Sequence, residues 1–283
     1  MPKGKNCACG REAEDVSCFK INELRIIAKH IRLSGGEIED GSKQVLYESI
    51  LNALSCDGDR CLTVHDKLSP DIQTRLKEAL VPVAPREWIN NPTEWLSNFD
   101  IEKKCTEMVR PKKTVLFLGV FPMDAEHKMG ARCVSRELCD YHPVASRRKY
   151  PTFAAVFNTD YHSLPGSHWV SLMGFVRPKD PRYGLYYYDS LGNRPTGDID
   201  HLITRLSNEL AEADGAVPPY MFNDVRHQSS NTECGMFCLA FIDSMLHTNR
   251  TYPEMCKRLV TDAEMIKKRT EYFELPSKNH LDD

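Results

Sequence analysis

Between Ile21 and Ile31 the apolar residues Leu24, Ile27, Ala28 and Ile31 recur three and four apart, the spacing of one helix face. Lys43–Leu54 repeats the pattern with Val45, Leu46, Ile50, Leu51 and Leu54, and a third such run covers roughly Ser69–Leu80. Gly35-Gly36 separates the first two runs. After the third, Val81-Pro82-Val83-Ala84-Pro85 cannot hold regular structure, because proline lacks an N–H and fixes its φ. The pattern predicts a helical domain over residues 1–90 and a second domain over residues 91–283.

Beyond the break the grammar changes. Val115–Phe121 and Thr152–Phe157 are short apolar runs with polar bounds, as expected of buried strands. His168–Val176 and Gly184–Asp189 are rich in strand formers, and the second ends in Ser190-Leu191-Gly192-Asn193, good turn chemistry. A helix over Ile199–Ala213, a short strand over Met221–Val225, an apolar helix over Gly235–His247 and a helix over Ala263–Phe273 complete the list. The polar tail Pro276–Asp283 is expected to fray.

Composition narrows the class. The 283 residues are 41% hydrophobic and 27% charged, ordinary for a globular chain with a substantial core. A net charge of −3 supplies no global basic field for nucleic acid or anionic membrane. No stretch approaches the roughly 18–20 apolar residues of a membrane span, and the polar start Met1–Cys18 has no signal-peptide centre. The expectation is an intracellular, unsecreted protein. Its eleven cysteines, scattered and odd in number, are then expected to be mostly thiols.

Four polar positions stand in a suggestive order. His168-Trp169 opens a strand, Asp189 closes the next, Gln228 lies in a polar loop, and Cys234-Gly235 opens an apolar helix. A cysteine attacks as its thiolate, and an ordinary thiol is only a few per cent ionised at neutral pH. A helix amino terminus and a neighbouring imidazole both favour the anion, and the imidazole can later protonate a leaving amine. Asp189 would orient His168. The Gln228 amide and the Cys234 N–H would donate to the oxyanion. Gly235 would let a substrate backbone approach, while Trp169 and Asn158 would line its path.

The runs Gly166-Ser167-His168-Trp169-Val170, Tyr188-Asp189-Ser190, Gln228 and Thr232-Glu233-Cys234-Gly235 resemble the active site of the adenain and ubiquitin-like-protein protease type of cysteine protease. Asn158-Thr159-Asp160, Val225-Arg226-His227-Gln228 and Thr261–Met265 extend the likeness toward the viral, polyprotein-processing members of that type. The resemblance covers about residues 91–273 and, faintly, Cys56–His65. It implies an α+β fold, with a central mixed β-sheet flanked by helices, the nucleophile at the start of a buried helix, and a helical amino-terminal domain beside it. It implies hydrolysis of viral structural polyproteins after Gly-Gly during virion maturation, without cofactor, metal or membrane. The implied locations are host cytoplasm at assembly sites and the virion. An activating peptide or DNA is an open partner. Two alternatives stand: a deconjugase of SUMO-like or ubiquitin-like tails, and a non-catalytic module binding such tails or nucleic acid.

Other signals carry less. Cys7, Cys9 and Cys18, and likewise Cys56, Cys61 and His65, are incomplete sets for zinc. Leu24–Leu54 faintly resembles a SAP-like DNA-binding module, but the acidic Glu37-Ile38-Glu39-Asp40 opposes that reading. Arg147-Arg148-Lys149 suits a solvated loop.

Overall fold

The computed structural model describes residues 6–11, 16–33, 42–248, 250–258 and 260–276. The Gly35-Gly36 break, the acidic stretch 37–40 and the tail beyond Pro276 lie outside the described residues. The chain divides into two compact units, one of residues up to Val83 with Glu271–Glu274, the other beginning at Ala84.

The first unit is helical: α1 (Ile21–His30), α2 (Lys43–Leu54), α3 (Asp59–Leu62) and α4 (Pro70–Lys77). Serine hydroxyls mark two helix starts, Ser42 accepting from the Val45 N–H and Ser69 from that of Ile72. The predicted stripes meet in one core through Leu24, Ile27, Leu46, Ile50, Leu54 and Ile72. The segment around Asn6–Ala8 runs along Ala79–Val81, with Ala8 N–H donating to Ala79 C=O and Val81 N–H to Asn6 C=O.

That placement bears on the cysteines. Cys7 is bonded to Cys18, Cys56 to Cys61 and, in the second unit, Cys133 to Cys139. The expectation that most of the eleven are thiols is thereby overturned: six are bridged. Cys9, Cys105, Cys234, Cys238 and Cys256 stand outside the bridges. Four of the six supposed zinc donors are spent in disulfides, and His65 is turned to the Leu54 carbonyl at 2.9 Å.

The second unit is built on a five-stranded mixed sheet. Its strands are β1 (Val115–Pro122), β4 (Thr152–Asn158), β5 (Trp169–Phe175), β6 (Gly184–Tyr188) and β7 (Tyr220–Phe222), hydrogen-bonded in the order β1-β4-β5-β6-β7. The outer pairs β1–β4 and β6–β7 are parallel, and the inner pairs β4–β5 and β5–β6 antiparallel. β4, β5 and β6 are buried almost throughout, because helices cover both faces. Val170, Leu172, Leu185 and Tyr187 join a core with Ile199, Leu202, Ile203, Leu206 and Leu210 of α8 (Gly197–Asp214). The other face carries α9 (Cys234–His247), packed on β5. In turn α9 meets α5 (Asn98–Val109), a helix the periodicity reading omitted. A 3-10 turn at Arg86–Ile89, a short hairpin of β2 (Lys128–Met129) and β3 (Arg132–Cys133), small helices α6 (Arg136–Cys139) and α7 (Pro143–Ser146), and helices α10 (Tyr252–Lys257) and α11 (Asp262–Tyr272) complete the described elements. None of the described helices is long and apolar enough to cross a membrane.

Candidate active site

Strand ends and one helix start converge. His168 immediately precedes β5, Asp189 immediately follows β6, and β5 and β6 are hydrogen-bonded neighbours. His168 Nε2 therefore donates to Asp189 Oδ1 at 2.6 Å. Cys234, the first residue of α9, also acts on this imidazole and favours its charged form. Both partners are sheltered: the side chain of His168 is 15% exposed and that of Asp189 4%. Burial pulls the imidazole pKa down, but the bonds and charges of Asp189 and Cys234 outweigh it and raise His168 to about 9. Burial likewise pushes Asp189 up, yet His168 and the Leu191 N–H more than compensate, and its carboxyl lies below the usual value.

The aspartate has its own frame. Asn223 accepts the Asp189 N–H at 2.8 Å and donates to the Asp189 carbonyl at 2.6 Å. This clamp holds the end of β6 where no ladder partner remains. Sequence reasoning missed Asn223, since a lone polar residue 34 positions away carries no local signal.

Gln228 is buried beside the same turn. Its backbone N–H donates to Ser190 C=O, Ser190 Oγ donates to Gln228 Oε1 at 2.6 Å, and Gln228 Nε2 donates to Ser230 C=O at 2.9 Å. The amide is thus fixed in one orientation with a single N–H left to give. The preceding His227 bridges Tyr188 Oη and the Cys256 carbonyl, which ties the loop to β6 and α10.

The remaining candidates divide. Trp169 is 8% exposed, and its indole N–H donates to Leu96 C=O at 3.1 Å. Asn158 Oδ1 accepts from the Asp160 and Ser167 N–H groups, and Gly166, at φ +98°, leaves no room for a Cβ beside its amide. Trp169, Asn158 and Gly166 line a cleft of about 570 Å³, together with Trp95, Leu96 and Leu164. Gly235 does not line it. A Cβ there would stand 3.2 Å from Leu96 Cβ and 3.4 Å from Ile101 Cδ1, so the room it leaves is taken by the entry to α5.

The other thiols differ from Cys234 in setting. Burial pushes those of Cys105 and Cys238 well up and that of Cys256 up to about 11, which keeps them protonated and inert at neutral pH. Among the described residues no group of three or more His, Cys, Asp or Glu could hold a metal ion.

Known proteins resemble this chain in sequence and fold. The model of the Ulp1 protease family, C-terminal catalytic domain, matches residues 149–281, a span that contains all four converging positions. A cysteine protease of African swine fever virus, from a tick isolate of Malawi, is 29% identical over 241 residues, covering 78% of this chain and 84% of the relative. A SUMO-1 cysteine protease from a Kenyan pig isolate of that virus is 30% identical over 242 residues with the same coverage. A crystal structure of a protease of the virus superposes with a TM-score of 0.69 at 21% identity, covering 97% of each chain, and so shares the fold.

Proposed function

The chain belongs to the Ulp1 protease family and is a cysteine protease, and on that premise we propose that Cys234 is its nucleophile, His168 the base and then acid, Asp189 the orienting group and Gln228 an oxyanion donor. The observation that carries this reading is the sheltered His168–Asp189 hydrogen bond at 2.6 Å, with Cys234 at a buried helix start acting on the same imidazole.

Each step then has an owner. The Cys234 thiolate adds to the scissile carbonyl and forms the S–C bond. The charge that develops on oxygen is met by the Cys234 N–H at the helix start and by the remaining Gln228 N–H. The His168 imidazolium gives its proton to the departing amine as the C–N bond breaks. The neutral imidazole then takes a proton from water, whose oxygen bonds to the acyl carbon as the S–C bond breaks, and this restores the thiolate–imidazolium pair.

The substrate we propose is a viral structural polyprotein cut after Gly-Gly, at virus assembly sites in the host cytoplasm and in the virion. Trp169, pinned by Leu96, walls the cleft beside the site together with Trp95, and a segment without Cβ atoms passes most easily along such bulky walls. A SUMO-like tail is the second reading, favoured by the name of the Kenyan relative. Incubation with Gly-Gly-Xaa peptides beside SUMO and ubiquitin fusions, with mass spectrometry of the products, separates the two. Cleavage of the fusions alone overturns the polyprotein reading. Full hydrolysis by Cys234→Ala overturns the nucleophile assignment.

A further inference from the structure

The residue before Cys234 is a glutamate with no solvent exposure, and its carboxylate does not cap the helix it begins. A lone carboxylate there would be costly to bury and would oppose a thiolate beside it. Arg269 of α11 meets it instead, side chain to side chain, at 3% and 0% exposure. Arg269 Nε donates to Glu233 Oε2 at 2.9 Å and Nη2 to Oε1 at 3.0 Å, a two-pronged pairing that also fixes direction. Thr232 Oγ1 donates to the same Oε1 at 3.0 Å.

The guanidinium has further work. Its Nη1 donates to the Glu94 carbonyl at 2.8 Å, and Nη2 reaches the Thr93 and Thr232 carbonyls at 3.4 and 3.5 Å. Its face lies 4.3 Å over the Trp88 ring, whose indole N–H donates to the same Glu94 carbonyl. Thr93 and Glu94 lead directly into Trp95 and Leu96, which wall the cleft. Leu96 in turn holds Trp169 by its carbonyl and fills the space at Gly235. One cation therefore joins the residue in front of the nucleophile, the cleft wall and α11.

We propose that Arg269 is a positioning residue for hydrolysis: paired with Glu233, it cancels the buried negative charge beside Cys234 and locks the start of α9 against the cleft wall at residues 93–96. The proposal rests on the reading of Cys234 as nucleophile. Among the other titratable groups on α9 and on the elements packed against it are His168 and Asp189 at the ends of the sheet strands, Cys238 on α9, and Cys105 with the buried Lys104–Glu107 pair on α5. None of these changes in the test below.

The test uses the full chain and three variants: Glu233→Gln, Arg269→Met and the double replacement. Iodoacetamide labelling of the Cys234 peptide, quantified by mass spectrometry across pH, reads thiolate formation without any turnover. Glu233→Gln leaves an uncancelled cation and moves the inflection down by about one pH unit. Arg269→Met leaves an uncancelled anion, moves it up by about the same amount, and lowers kcat/KM on a Gly-Gly peptide about tenfold or more. The double variant returns the inflection to near its original place. A purely structural staple would lower the melting temperature of Arg269→Met and move no inflection. Glu233→Gln keeps the shape of the pair and so reports even if Arg269→Met does not fold. An inflection that stays put in Glu233→Gln overturns the proposal. Failure of the nucleophile reading is distinct, since it appears as hydrolysis by Cys234→Ala whatever the labelling shows.

Discussion

Asp189 and Cys234 hold His168 toward its charged form, against the pull of burial. Two of the causes that raise it come from Cys234, so Cys234→Ala removes them while burial, which lowers it, stays. NMR titration of the imidazole should find a pKa near 9 in the wild type and a lower one in Cys234→Ala. Asp189→Asn, which removes the carboxylate charge and weakens the bond that most favours the imidazolium, should lower it further. The stability consequence has a definite sign. A pKa raised from 6.5 to about 9 contributes stability that is complete below 6.5 and lost as pH climbs through about 9. Turnover should fall through the same alkaline window, because a neutral His168 has no proton for the leaving amine. At Gln228 the expected signature is different. An oxyanion donor acts in the transition state alone, so Gln228→Ala should cut kcat by about 10²–10³-fold with little change in KM. Ser190→Ala should give a smaller loss of the same kind, since Ser190 Oγ fixes the orientation of that amide. A mainly KM effect, measured with an unchanged melting temperature, would remove the oxyanion role.

At the scale of elements, the reading of apolar period served best where a segment is buried on a single stripe or on both sides. The helices around Leu24–Ile27, Leu46–Leu54 and Ile199–Leu210, and the strands of the central sheet, fall close to where the pattern put them. The miss was α5. Its signals were present: Ser97 and Asp100 form a capping box, and Ile101, Cys105 and Met108 are spaced as one buried face. The buried charges Lys104 and Glu107 interrupt that face and hide its apolar character. The site was legible in its residue types and order, because each chemical task limits the choice of side chain. Its supports were not: Asn223, Ser190 and the Glu233–Arg269 pair act across 34 to 38 residues. The sheet itself can be tested at Gly174, opposite Phe153 in the β4–β5 ladder. A Cβ there would fall 2.1 Å from a carbon of the fully buried Phe153 ring. Gly174→Ala should destabilise the fold by about 1–3 kcal/mol in urea titration. Adding Phe153→Leu should recover part of the loss, whereas an undiminished loss in the double variant would locate the cost elsewhere.

For the whole chain, the division follows the proline-rich break but falls at Val83–Ala84 rather than near residue 90. Residues 84–90 pack with the second unit because Trp88 is buried there against Arg269 and the Glu94 carbonyl. Hydropathy could not show this, since one tryptophan in a polar stretch has no period. The cysteines illustrate the same limit at the largest scale. Spacing alone set an odd number of scattered thiols, and only the fold brings Cys7 beside Cys18, where the strand-like pairing along Ala79–Val81 delivers it. That bridge spans 11 residues, a loop whose closure removes roughly 3 kcal/mol of chain entropy from the unfolded state. The bridges at Cys56–Cys61 and Cys133–Cys139 close shorter loops and contribute less. None includes Cys234, so mild reduction should lower the melting temperature and leave peptide hydrolysis intact while the protein stays folded. The oxidised protein, denatured without reductant, should titrate five thiols with Ellman's reagent, and eleven after reduction. Eleven before reduction would mean that the pairs are dithiols in solution, and the entropic term would then be absent from the stability of the first unit.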